Sequence, residues 1–169
     1  MRTLASFTLD LAGPGFVIYS PFAMADVPTG SHFLRDHYTE SADVAACVRA
    51  GRVAGCCTGS PGNYNVEIID GALDHFMAAL CPWWISLALE VRNHTVCVRD
   101  LFDLTPWDPV CPPEQSVSLA DGFYRLAVGT RPTESGIVGR DQDLVIAFEP
   151  RDTLPELNWT GVPFLGKQD

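Results

Sequence analysis

The chain has 169 residues, 47% of them apolar, and its 21 acidic side chains against 11 basic ones give a formal net charge of -10. This length and apolar content suit one core rather than two, so a single domain over 1–169 is expected. The charge works against phosphate backbones and anionic membrane surfaces, and no apolar run reaches the roughly 18 residues of a spanning helix, so neither nucleic acid nor membrane is an expected partner.

The 13 prolines and 14 glycines are spread along the chain, which suits many short strands joined by turns. Phe7, Leu9 and Leu11 alternate with Ser6, Thr8 and Asp10, and Gly13-Pro14-Gly15 then leads to the apolar run Phe16–Tyr19. This pattern predicts a strand pair. Residues 21–38 show no period and are expected to form a loop that returns aromatic side chains to the core. Ser41 can cap a helix over Ala42–Ala50, with Val44, Cys47 and Val48 on one face and Gly51 as the stop. Two strands, 52–57 and 64–69, follow around the turn-rich stretch Thr58–Asn63. Leu73–Leu80 has helical spacing but meets Cys81-Pro82, so it is either a short helix or a loop.

Trp84–Val91 and Thr95–Val98 flank Arg92-Asn93-His94 and are expected to form a hairpin. A crossing rich in proline (Pro106, Pro109, Pro112, Pro113) leads to Ser116–Leu119, and Asp121-Gly122 predicts a second hairpin with Phe123–Val128. A polar loop over 131–143 precedes the last strand, Leu144–Glu149. An irregular tail, about 150–169, should pack through Trp159 and Phe164. The fold class expected is therefore mainly β, an antiparallel β-sandwich of about seven to nine short strands with one or two short helices.

The sequence offers no convincing catalytic set. Its histidines (His32, His37, His75, His94) lack the spacing of a helical zinc motif, and no C-x-x-C pair, G-x-G-x-x-G fingerprint or Walker sequence occurs. No cofactor and no metal are expected, and Gly59-Ser60-Pro61-Gly62 has turn chemistry rather than the frame of a serine elbow. The six cysteines are expected to be reduced and mostly buried. Ala23-Met24-Ala25 has the form of a cleavage site, but Asp10 and Gly13-Pro14-Gly15 interrupt the stretch before it. A cytoplasmic location is expected, with cleavage near Ala25 as the alternative.

Glu134, Asp141, Asp143, Glu149 and Asp152 cluster in sequence around one hairpin, with Arg131 and Arg140 among them. They are the candidate partner-binding residues, a rim that could steer a basic effector protein. Of the four tryptophans, Trp83, Trp84, Trp107 and Trp159, at least two are expected in the core.

The segment Trp84–Val128 carries Glu90-Val91, then Val96-Cys97-Val98, then V-x-L-x-D-G-x-Y-R-L over Val117–Leu126, with a short helix and small-residue strand upstream over Ala45–Cys57. In these features it resembles the DNA-entry nuclease inhibitors of bacterial competence (ComJ-like) and related β-sandwich immunity proteins. The resemblance implies a small cytosolic bacterial protein, not an enzyme, that neutralises a basic toxin or nuclease by binding it. A secreted β-sandwich recognition module, or an enzyme whose site is assembled from scattered residues, are the alternatives.

Overall fold

The structure is a computed structural model that describes residues 2–131 and 133–165. Nine strands form two packed sheets. The first sheet has the order β1 (Arg2–Leu11), β4 (Gly62–Asp70), β9 (Arg140–Arg151), β8 (Gly122–Arg131), β5 (Ile85–Val91). The second has the order β3 (Val53–Cys57), β2 (Gly15–Tyr19), β6 (Thr95–Asp100), β7 (Ser116–Ser118). All pairings are antiparallel except β4 with β9. Both of those strands start from the same end of the sandwich, after the loops at 58–61 and 133–139, and so they run side by side in one direction.

Alternation in β1, β4 and β8 and continuous apolar runs in β2, β3, β5 and β9 set the core. Leu9, Leu11, Tyr64, Val66, Ile68, Leu126, Leu144 and Phe148 from the first sheet meet Phe16, Ile18, Ala54, Val96, Val98 and Val117 from the second, all buried. Each large side chain buried here contributes about 1.5–3 kcal/mol. The run Leu144–Phe148 is buried on both faces because the segment after β4, with helix α3 (His75–Ala78), lays Met77 and Cys81 over Ile69, Val145 and Ala147. That second cluster explains an apolar run with no alternation.

Residues 21–38 are more ordered than expected, with a 3-10 turn over Pro21–Met24 and helix α1 (Phe33–His37). Their aromatics do return to the body. Phe33 and Tyr38 pack with Trp107 and Tyr19 over the outer face of the second sheet, and the Tyr38 hydroxyl accepts a hydrogen bond from the Gly55 N–H at 3.1 Å. The proline-rich crossing lies on this layer, where Arg99 donates to the Tyr19 hydroxyl, Asp103 and the Val110 carbonyl. A disulfide joins Cys97 of β6 to Cys111 of the crossing, which corrects the expectation of six thiols; Cys47, Cys56, Cys57 and Cys81 are free. Trp107 is the fully buried tryptophan, and Trp159 is exposed.

Helix α2 (Ser41–Arg49) buries Val44, Cys47 and Val48 as expected and stops at Gly51, although Glu40 rather than Ser41 occupies the N-cap. The three hairpins expected at 13–15, 92–94 and 121–122 are instead arches between the two sheets. Strands β1 and β2 do not pair, nor do β7 and β8, and β5 and β6 share a single bridge, Arg92 with Thr95. Asn93 and His94 have the positive φ of a tight hairpin turn, but beyond it β5 pairs with β8 and β6 with β2. The long connection between β8 and β9 does close a hairpin.

The tail begins after Arg151 and is partly regular. Asn158 accepts from the Ser86 N–H, and Pro163–Leu165 joins the outer edge of β3 through Cys57 N–H to Pro163 O (2.8 Å) and Leu165 N–H to Cys57 O (2.7 Å). Residues 166–169, the end of the expected tail, lie outside the described residues. Phe164 stays 41% exposed.

Candidate functional site

One end of the sandwich gathers the loops at 12–14, 58–61 and 133–139 together with the 3-10 turn Leu101–Leu104 and the tail at Phe164. The carboxylate of Asp100, buried at the end of β6, organises it. Asp100 Oδ2 accepts from the N–H groups of Ala12 (2.6 Å) and Gly13 (3.0 Å), and Oδ1 accepts from Phe102 N–H (2.8 Å). A carboxylate with several acceptor sites can serve three backbone donors that no strand uses. The Pro14 carbonyl accepts from the N–H groups of Thr58 and Gly59 and from the Thr58 hydroxyl, which ties the first loop to the second.

The second loop is tied to the third in the same way. Asn63 N–H donates to Gly139 O at 3.0 Å, and Gly139 has a φ of 81°, so a side chain there would be strained and would also run into the Pro61 carbonyl. Phe164 lies against Gly59 and the Phe102 ring lies against Gly13. Backbone hydrogen bonds therefore hold an end that lacks a core of its own.

On this frame, Phe102 (52% exposed), Ile137 (50%) and Val138 (45%) stand in solvent together with Phe164. Sequence reasoning missed this patch, because the loop over 131–143 is polar in composition and its two apolar residues carry no period. The signal available was the dipeptide Ile137-Val138, two large apolar residues between Gly136 and Gly139 in an otherwise polar connection.

The five candidate partner-binding residues do not form one patch. Glu134 and Asp141 are exposed at this loop end, and Asp143 is two residues into β9 from Asp141. Glu149 and Asp152 lie at the opposite end, with Asp143 and Glu149 about 20 Å apart along the strand at about 3.3 Å per residue. Two of the five carboxylates are also paired. Asp143 meets Arg131 at 3.4 Å and accepts from Asn65, while Glu149 meets Arg151 at 2.7 Å and Arg125 at 3.6 Å. Glu134, Asp141 and Asp152 have no ion pair among the described residues, so the loop end carries two of the three free carboxylates and the opposite end the third.

A second concavity, about 610 Å³, lies between α2 and the tail and is lined by Val44, Ala45, Leu157, Trp159 and Val162. The histidines are dispersed. His32 Nδ1 accepts from Arg35 N–H at the start of α1 and lies 3.2 Å from the Thr105 hydroxyl, and His94 lies 3.6 Å from Asp121. Among the described residues no three metal-ligating side chains come together, and no helix is long and apolar enough to cross a membrane. Burial raises the Cys56 and Tyr38 pKa values strongly and pushes the Cys81 thiol up to about 11, so these groups stay protonated at neutral pH.

No protein-family model matches the chain, and no curated protein matches it. Solved structures do. ComJ from Bacillus subtilis, the inhibitor of the DNA-degrading activity of NucA, matches with a TM-score of 0.56 and 9% identity over 89% of this chain and 98% of its own. The crocagin biosynthetic gene J product matches with a TM-score of 0.57 and 11% identity, over 89% of this chain and 99% of its own. The resemblance carried by Trp84–Val128 thus holds at the level of the whole fold, and these identities speak to the fold alone.

Proposed function

We propose that the protein is a non-catalytic, cytoplasmic inhibitor or immunity protein that neutralises a basic effector by direct binding, a nuclease toxin being the leading class. The observation that carries this reading is the loop end, where Phe102, Ile137, Val138 and Phe164 are exposed at the same end of the sandwich as Glu134 and Asp141, which have no ion pair among the described residues. Apolar anchors with a charged border are the anatomy of a protein interface. The net charge of -10 adds long-range attraction for a basic partner. ComJ, which shares the fold, inhibits a nuclease, and this supports the choice of effector class.

The test co-expresses the chain with the products of neighbouring genes and assays any purified basic nuclease on plasmid DNA with increasing amounts of this protein. Loss of activity at one equivalent, weakened by salt, supports the reading. A neighbouring nuclease that keeps full activity at excess inhibitor, with no complex on gel filtration, refutes it.

A further inference from the structure

We infer that the outer edge of β1 is a strand-addition site for an extended segment of the basic partner. The inference rests on the inhibitor reading for the nature of that partner. The two sheets have four edges, and the chain closes two of them itself. Strand β5 is capped by Glu90 N–H donating to Gly51 O and by Asn158 accepting from Ser86 N–H. Strand β3 carries Pro163–Leu165. A third edge, β7, is three residues long. Strand β1 is ten residues long, and it pairs with β4 alone.

The ladder shows which groups of β1 are free. Asn63 N–H donates to Gly139 O and Gly71 N–H to Phe148 O, so odd-numbered residues of β4 turn their backbone toward β9 and even-numbered ones toward β1. Tyr64, Val66 and Ile68 stand opposite Leu9, Phe7 and Ala5, which spend their N–H and C=O groups on that ladder. By this register the backbone groups of Ser6, Thr8 and Asp10 face outward, and among the described residues no turn, loop or cap bonds to them. Natural edges are guarded by proline, lysine or short length, and Arg2–Leu11 contains no proline and no lysine. A bulge between Thr3 and Ala5 confines the regular edge to the half nearest the loop end.

The surroundings select the occupant. An added strand would set alternate side chains beside exposed Ser6, Thr8 and Asp10 on the outer face, and the others beside half-buried Phe7 on the inner face. Asp10 and the overall charge favour lysine or arginine at the first set and apolar residues at the second. A second copy of this chain would instead bring two charges of -10 together. Strand β1 leads directly into the loop at 12–14, so the edge and the apolar loop end form one continuous surface.

The experiment follows amide hydrogen exchange of the full chain by NMR, with a blocked decapeptide that alternates lysine with valine and threonine, and with its glutamate counterpart. The expected result is that exchange at Ser6, Thr8 and Asp10 slows at least tenfold with the lysine peptide and less than twofold with the glutamate one. Thr8→Pro, which removes an outward N–H, should abolish the protection, and Thr8→Ala should retain it. Asp10→Lys, which leaves the backbone intact, should weaken it. No protection at millimolar peptide, equal protection by both peptides, or protection that rises with protein concentration alone would overturn the proposal. Thr8→Pro that still neutralises a nuclease at wild-type stoichiometry would remove the edge site and leave the inhibitor reading standing.

Discussion

Replacing Asp100 with alanine should destabilise the whole molecule through the loop end. The carboxylate accepts three backbone N–H groups, and the bond from Gly13 is buried while those from Ala12 and Phe102 are partly open. A lost charged acceptor costs about 1–3 kcal/mol for a donor left dry and less where water can reach it, so the sum is about 3 kcal/mol. For a chain of this size that corresponds to a fall in Tm of about 6–12 °C. Asp100→Asn tests the geometry. Its amide can keep an acceptor toward Phe102 but then turns an NH2 toward two donors, so it should fall close to alanine and not near wild type. Urea denaturation with an unchanged m-value gives the free-energy difference. A loss below about 1 kcal/mol for Asp100→Ala would show that water replaces the carboxylate and that something else holds the loops.

Charge reversal should separate the two ends of β9: at about 0.15 M salt, where screening acts within about 8 Å, Glu134→Lys with Asp141→Lys should slow association with the effector several-fold and Glu149→Lys with Asp152→Lys much less, as stopped-flow binding would show. Leu165→Ala, in the tail residue that is 2% exposed, should cost about 2–4 kcal/mol by thermal or urea unfolding. Stability should fall as the pH rises from about 9 toward 11. In that window the unfolded chain releases the Cys81 proton while the folded chain holds it, so the unfolded state binds fewer protons and the slope of stability with pH is negative. Cys81→Ala should make the slope shallower when urea midpoints are compared across that range, leaving the part contributed by the buried Cys56 thiol.

The strands were legible because burial imposes period two on β1, β4 and β8 and short continuous apolar runs on β2, β5 and β9, and helix α2 because Val44, Cys47 and Val48 share a face that only a helix provides. Their partners were not. A turn such as Asn93-His94 or Asp121-Gly122 reverses the chain equally well within a sheet or between two sheets. The choice is made by distant strands, β8 for β5 and β2 for β6. Asp100 was legible only as an acid near the end of a strand, since its three donors come from residues as far as 88 positions away. The acidic set was read from chain proximity, and an extended strand is the element that most separates neighbours in sequence.

The crossing connections also account for where a binding surface can form. Each time the chain passes from one sheet to the other it leaves a loop over the end of the sandwich, and loops that cannot reach the core must be fixed by other means. Here Asp100, the Pro14 carbonyl and the close approach at Gly139 fix them through backbone groups. Side chains such as Phe102 and Ile137 are then free to face outward without the loop collapsing onto them. ComJ and the crocagin biosynthetic gene J product share the fold at 9% and 11% identity, so the fold tolerates replacement of most of its residues. If the proposed inhibitor reading holds, partner choice is expected where the framework imposes least, in the loop-end side chains and the acids at that end. A loop-end graft tests this: moving residues 134–138 into a relative of the same fold should transfer effector preference, and an unchanged preference would place recognition on the strands instead.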